Sequence, residues 1–252
     1  MSIFALRMLS NSRKKEIISL KQKKYRQRYG QFMVEGEKSV LELCQSSFSI
    51  EEILVTQPVF DKLKNKLPKS NVLILNEKEH KQYSSLDTSP GIIAVSNFEE
   101  PALEITSFDH QISLMLDGVS DPGNLGAIIR IADWYGIKSI LCSPDCVDLY
   151  NPKTIAATMG SFLRVNLYYT ALDTILKTTN LPSYACVMNG HSLATISKPA
   201  EGFIVIGNEA NGIQENLIKL CTHQITIPKK GHAESLNAAI ASAIVCHSFI
   251  MG

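Results

Sequence analysis

The stretch Phe203-Ile-Val-Ile-Gly-Asn-Glu-Ala-Asn-Gly-Ile213 is a short apolar run that ends in glycine, followed by an acid and a second glycine. Four apolar residues closed by Gly207 read as a strand buried on both faces, with Gly212 expected to open a helix. In open α/β sheets ligands bind outside the carboxyl ends of strands, where a glycine lets them approach the backbone. A plain strand-to-helix turn has the same pattern, so this stretch alone leaves function open. Its spacing does exclude two phosphate loops. Gly207 and Gly212 make G-x-x-x-x-G, but Ile213-Gln214 stand where a P-loop needs Lys and Ser/Thr. No strand is followed by G-x-G-x-x-G either.

Two other segments also follow apolar strands. In Leu116-Asp-Gly-Val-Ser-Asp-Pro-Gly-Asn-Leu-Gly-Ala-Ile-Ile-Arg130, Asp121 is placed to cap a helix starting at Pro122. Leu125, Ile128, Ile129 and Ala132 form its buried stripe. Arg130 falls almost opposite, one turn before Trp134, where a solvated Arg stacked on an aromatic is the plain alternative. The segment Ile227-Pro-Lys-Lys-Gly-His-Ala-Glu-Ser-Leu-Asn237 leads into an Ala-rich run, and a closing helix is expected over 233–250. Ser235 and Asn237 are the polar groups at its mouth, although Ser235 is equally suited to a simple N-cap. His232 beside Ser235 does not make a hydrolase, because G-x-S-x-G is missing. Cys221, His223 and His232 fit no zinc spacing, and no metal is expected.

Outward from these segments the chain alternates strand-like and helical runs. Strands are expected at 31–34, 51–55, 72–75, 91–95, 112–116, 139–142, 184–188, 203–206 and 224–227, and helices at 36–45, 58–67 and 77–83. That alternation specifies an α/β protein and implies parallel sheets covered on both faces. The acidic, aperiodic stretch Asn97–His110, with Pro101, reads as a linker between a domain of residues 1–98 and one of 110–252. There is no internal repeat.

With 252 residues, 45% hydrophobic and 19% charged, the chain can bury a full core. No apolar run nears the ~18–20 residues of a membrane span. The basic start MSIFALRMLSNSRKK lacks the pattern of an export signal. Six scattered cysteines without Cys-x-x-Cys suit a reducing cytoplasm. The net charge of +1 hides an asymmetry: residues 1–30 carry nine Lys/Arg, Arg7 included, against the single acid Glu16. Arg13, Lys14, Lys15, Lys23, Lys24, Arg26 and Arg28, interleaved with Tyr25 and Tyr29, suit a polyanion such as RNA. A solvated amphipathic helix with Ile17, Ile18 and Leu20 on its apolar side is the alternative.

Taken in order and spacing, Asn124 with Arg130, Gly207-Asn-Glu-Ala-Asn-Gly-Ile213, and Ile227-Pro with Ser235-Leu-Asn237 resemble the three motifs of the SpoU (TrmH-like) RNA ribose 2′-O-methyltransferases. The resemblance covers about the last 140 residues. Leu20-Lys-Gln-Lys-Lys-Tyr-Arg and Phe32-Met-Val-Glu-Gly-Glu-Lys38 are similar to the L30e-like substrate-binding domain of the ribosomal-RNA branch. The resemblance implies S-adenosylmethionine as donor, RNA as substrate, a homodimer through the catalytic domain and a trefoil-knotted SPOUT-type fold. Composition and periodicity show nothing of the knot. It further implies a catalytic set of Asn124, Arg130, Glu209, Ser235 and Asn237, and a cofactor site of Met188, Asn189, Gly207, Asn208, Gly212, Ile227 and Leu236. A guanidinium is almost always charged, so Arg130 reads better as a fork for phosphate or a developing alkoxide than as a base. Two departures touch the implied cofactor pocket. Lys229 stands where the family usually has Met, and Ala238 where Val commonly follows Ser-Leu-Asn. Transfer RNA as substrate, and an RNA-binding protein without catalysis, are the remaining alternatives.

Overall fold

The computed structural model describes residues 9–251; Arg7 and the rest of MSIFALRM lie outside the described residues. By contact the chain divides into two compact units, one reaching Glu99 and including Tyr150–Leu163, the other Glu100–Leu149 with Arg164 onward. Residues 150–163, expected within the second domain, therefore belong with the first. In chain order the elements are α1 (Asn11–Ser19), α2 (Lys23–Tyr29), β1 (Gln31–Glu35), α3 (Glu37–Leu43), β2 (Ile50–Thr56), α4 (Gln57–Leu63), β3 (Val72–Leu75), α5 (Glu77–Tyr83) and β4 (Ile92–Asn97). Then come β5 (Ile112–Asp117), α6 (Pro122–Trp134), β6 (Ser139–Cys142), α7 (Pro152–Thr158), β7 (Asn166–Tyr169) and α8 (Leu172–Thr178). The last elements are β8 (Ser183–Ser192), β9 (Gly202–Gly207), α9 (Glu215–Leu220), β10 (His223–Thr226) and α10 (Ala238–Ile250).

The first unit is built on a sheet of order β1-β4-β2-β3. Only β2 and β3 pair in parallel, while β4 enters between β1 and β2 in the opposite sense to both. The expectation of a parallel sheet is corrected here: alternating strands and helices do not encode strand direction. Ile17 and Leu20 of the basic lead-in, with Met33, Leu54, Leu73, Tyr83, Ile93 and Val95, make one core cluster. Ile18 stays exposed. An aromatic cluster explains why 150–163 joins this unit. Tyr150 stacks on Phe98 at 4.2 Å between centroids, and Phe32 lies between Tyr150 and Phe162. The Tyr150 hydroxyl donates to the Glu99 carbonyl at 2.6 Å.

The second unit carries a six-stranded sheet, β10-β8-β9-β5-β6-β7, parallel throughout. Phe108, Met115, Leu141, Ala185, Phe203, Val205, Ile213 and Leu217 are part of its core. Asp121 caps α6 by accepting from Asn124 N at 2.8 Å, and Leu125, Ile128, Ile129 and Ala132 are its buried stripe. β8 is longer than expected, and its Gly190 lies so close to β10 that a Cβ would sit 2.6 Å from Ile225 backbone. The closing helix starts at Ala238, capped by the Asn237 side chain, and not at 233. Ser235 is thus no N-cap. Two other expectations shift: β10 lies one residue earlier than 224–227, and Gly212, at φ +67, sits in a turn two residues before the α9 cap, Gln214. All six cysteines are free thiols.

Candidate functional site

The three motif segments meet at the carboxyl ends of β5 and β9 in the second unit. After β9, Asn208 and Gly212 exchange backbone hydrogen bonds at 2.9 and 3.1 Å, folding 207–213 into a tight turn. A Cβ on Gly207 would overlap the carbonyl carbon of Gly212, so only glycine fits there. Asn208 Nδ2 donates to Gly118 O at 2.7 Å while its Oδ1 accepts from Ala210 N. Buried Asp117, at the end of β5, accepts from Gln214 N at 2.7 Å and from Gln214 Nε2 at 2.9 Å. These bonds lock the β9 turn onto the β5 end.

A polar relay links the three segments. Asn124 Nδ2 donates to Glu209 Oε1. Asn237 Nδ2 donates to Asn124 Oδ1 at 2.8 Å, and Asn237 Oδ1 accepts from Ala239 N and Ile240 N. Glu209 and Ser235 line a cavity of about 750 Å³, as do Met188, Gly207, Asn208, Gly212, Ile227 and Leu236. Of the residues implied for the cofactor, Asn189 alone is outside the lining; it is exposed on β8. Asn124 meets the wall through its hydrogen bond to Glu209, Asn237 sits between the lining residues Leu236 and Ala238 without lining it, and Arg130, exposed on α6, is not part of it. Among the described residues no acid pairs with Arg130. Lys229, expected beside the pocket as a departure from the family pattern, lines the cavity. Glu234 lines it too and was not selected from the sequence, where its only signal was membership of the 227–237 segment. Ala238 lines it as well.

In the first unit the basic residues divide into two groups. Arg13 Nε and Nη2 donate to Glu52 at 2.9 and 2.6 Å, and Nη1 donates to Glu16 and Gln31. The Glu52 hydrogen bond raises the Arg13 pKa, against the pull of burial. Lys14 Nζ donates to Glu79 at 2.8 Å, which raises its pKa too. Arg26 is 2% exposed, with Nη1 donating to Leu20 O and Lys21 O. Arg13 thus ties α1 to the sheet, Lys14 ties α1 to α5, and Arg26 ties α2 to the turn after α1, so these three do not present themselves as the RNA contacts expected of them. Lys15, Lys23, Lys24 and Arg28 are exposed. On α2, Tyr25 and Tyr29 stack at 6.3 Å, with Lys24 over one ring and Arg28 over the other at 5.9 and 5.7 Å. Among the described residues, no three His, Cys, Asp or Glu come together as a metal site. None of their helices is long and apolar enough to cross a membrane.

The chain matches the SpoU rRNA Methylase family over residues 111–247 and the MRM3-like substrate binding domain over 11–94. It is 28% identical to the 23S rRNA (guanosine(2553)-2′-O)-methyltransferase RlmP of Bacillus subtilis, over 94% of this chain and 95% of that one. A solved TrmH-family structure from Porphyromonas gingivalis is 31% identical with a TM-score of 0.86, covering 96% of this chain and 98% of the other. The AdoMet-bound rRNA methyltransferase of Sinorhizobium meliloti is 27% identical at a TM-score of 0.84, covering 96% and 95%.

Proposed function

This chain belongs to the SpoU rRNA methylase family, and from that membership we propose that it methylates a ribose 2′-hydroxyl in 23S-type ribosomal RNA with S-adenosylmethionine as donor. The observation that carries the reading is the Glu209–Asn124–Asn237 relay, which joins all three motif segments at the edge of one cavity. The match of residues 11–94 to a substrate-binding domain, and a relative named for 23S rRNA over nearly its full length, support ribosomal RNA as the substrate.

The cavity fits the donor. Its size lies within the usual ~300–1,000 Å³ of small-molecule sites. Ile206, Ile225, Ile227 and Leu236 give it apolar walls for a flat base, beside backbone groups at the strand ends. When bound, S-adenosylmethionine supplies an electrophilic methyl group on a sulfonium. The chain's own residues must then hold a ribose hydroxyl in line and help it lose a proton. Orientation is the larger contribution, worth up to roughly 7–11 kcal/mol, and proton transfer adds about 10²–10⁴-fold. Asn124 and Ser235 position the hydroxyl. Glu209 orients Asn124, and Asn237 ties that amide to the α10 N-terminus. Arg130, exposed and with no acidic partner among the described residues, holds the target phosphate or the developing alkoxide with its planar fork.

The working molecule is a homodimer in the cytoplasm, with the second unit knotted. The exposed apolar side chains of α6, α10 and the residue just after α10 support the dimer: Trp134 is 85% exposed, Ile240 54% and Met251 66%. An apolar surface of this kind marks an interaction site. On α2, Lys23, Lys24 and Arg28 with the Tyr25–Tyr29 pair supply the RNA contacts. The test is to map 2′-O-methylated riboses in cells with and without the gene. One ribose of the large ribosomal RNA should lose its methyl group. A loss in transfer RNA would move the substrate, and no loss at all would overturn the reading. Calorimetry with S-adenosylmethionine gives heat for an enzyme and none for a silent RNA binder.

A further inference from the structure

Three charged residues line the cavity wall: Glu209, Lys229 and Glu234. Glu209 is committed to Asn124. The other two lie in the single loop between β10 and α10, five residues apart, and both are exposed. Lys229 Nζ donates to Ala233 O at 3.3 Å, which curls the loop back on itself. Among the described residues Lys229 has no carboxylate within ion-pair distance, and Glu234 has neither a hydrogen-bond nor an ion-pair partner. The loop therefore carries one cation and one anion, both on residues that line the same cavity, and the two do not neutralise each other. The wall around them is largely apolar.

A ligand that satisfies both groups must carry opposite charges close together at one end and an apolar body at the other. An α-amino acid group attached to a nucleoside has that form. We propose that Lys229 and Glu234 form a two-point receptor for the amino-acid end of the methyl donor, Lys229 taking its carboxylate and Glu234 its ammonium. This rests on the S-adenosylmethionine reading above. It gives a purpose to Lys229, the departure from the usual Met after Ile-Pro. Apolar Met can only pack against a ligand, whereas an ammonium can pair with a carboxylate.

The experiment is calorimetry on the full chain with two probes, S-adenosylhomocysteine and methylthioadenosine. They share the nucleoside and thioether, and only the first has the amino-acid end. Lys229→Met and Glu234→Gln should each weaken S-adenosylhomocysteine by about three- to five-fold, the scale of an exposed ion pair. Methylthioadenosine should stay within about two-fold in both variants, by the same scale. An unchanged ratio of the two affinities in both variants overturns the receptor. So does an equal loss for both probes, which would mean the loop shapes the nucleoside site and nothing more. If the parent protein binds neither probe, the failure belongs to the donor reading itself.

Discussion

Asn124 Oδ1 accepts a hydrogen bond from Asn237 Nδ2 at 2.8 Å, across 113 residues of chain. The direction of that bond follows from its neighbours. An ionised Glu209 can only accept, so Asn124 must turn its amide nitrogen toward it and its oxygen toward Asn237. At the other end the backbone N–H groups of Ala239 and Ile240 can only donate, so Asn237 must turn its oxygen to the helix. Both amide orientations are set by an acceptor at one end and donors at the other. Asn124 is thereby presented in one orientation beside the cavity.

Asn237→Asp should therefore separate folding from activity. Asp caps a helix as well as Asn, so thermal stability should move little. Two acceptors would now face each other, and Asn124 cannot turn over while Glu209 holds its nitrogen. Methyl transfer should fall by about 10²-fold, the cost typical of misplacing a reacting group. Adding Glu209→Gln restores a donor on that side, so Asn124 can reverse. The double variant should regain part of the stability or activity lost in the sum of the singles, a coupling read from a double-mutant cycle. Strict additivity would sink the relay.

Arg130→Ala should abolish methyl transfer to RNA while donor affinity stays within a few-fold, because Arg130 is exposed on α6 and outside the cavity lining. Arg130→Lys should fail as well, since Lys keeps the charge but loses the planar fork. Loss of donor binding in parallel with rate would contradict this division. Calorimetry beside a labelled-methyl assay reads both.

Gly207→Ala should damage the fold of the β9 turn, since its Cβ would overlap Gly212 backbone. Overpacking of this kind costs about 1–3 kcal/mol, and the donor site should be lost with it. A drop in melting temperature together with undetectable donor binding is the expected pair of results. A variant that binds normally would show that the turn has room to relax.

Part of this architecture was legible in the residues themselves. The spans of β3, β6 and α5 follow directly from apolar runs and their polar boundaries. The Asp121 cap and the Leu125–Ala132 stripe could be read because capping and helical spacing are local. Long-range pairing was not legible. The antiparallel insertion of β4 depends on strand partners that no periodicity encodes. The return of 150–163 to the first unit depends on an aromatic cluster assembled from four separate stretches of chain. Within the site, the residue types and their order pointed to the three segments. The relay itself, and the internal use of Arg13, Lys14 and Arg26, needed three dimensions.

Acid should weaken the first unit through His80, which is fully buried. Its Nε2 lies 3.2 Å from Leu54 O and so carries the proton, while Nδ1 accepts from the Ser89 hydroxyl at 2.7 Å. Burial lowers the His80 pKa below 6.5, although the Leu54 carbonyl and Glu35 act the other way. Above the unfolded value both states are neutral and His80 contributes nothing to the pH dependence. As pH falls below it, the unfolded chain binds the proton first and stability is lost until the folded pKa is reached. The loss is bounded by about 1.4 kcal/mol per unit of lowering. Denaturant midpoints at pH values on either side should differ in the parent and converge in His80→Gln. Equal slopes in the two proteins would assign the acid sensitivity elsewhere.

The two groups of basic residues should give opposite phenotypes. Lys23, Lys24 and Arg28 are exposed on α2 beside a stacked Tyr pair, so replacing them with Gln should weaken RNA binding and flatten its salt dependence. Each phosphate that is no longer neutralised removes roughly 0.7–0.9 from the slope of log K against log salt. Stability should hardly change, since exposed substitutions are usually worth within about ±0.5 kcal/mol. Arg13→Gln should behave in reverse. Its guanidinium is partly buried and bridges Glu52, Glu16 and Gln31, so its removal leaves a half-buried carboxylate without its partner. That should cost on the order of 1–3 kcal/mol of unfolding free energy, with RNA affinity per folded molecule and the salt slope preserved. A salt titration and a urea melt on both variants separate the readings. If Arg13→Gln flattens the slope and the α2 variant does not, the RNA lies on α1, and the cations of α2 are ordinary surface charge.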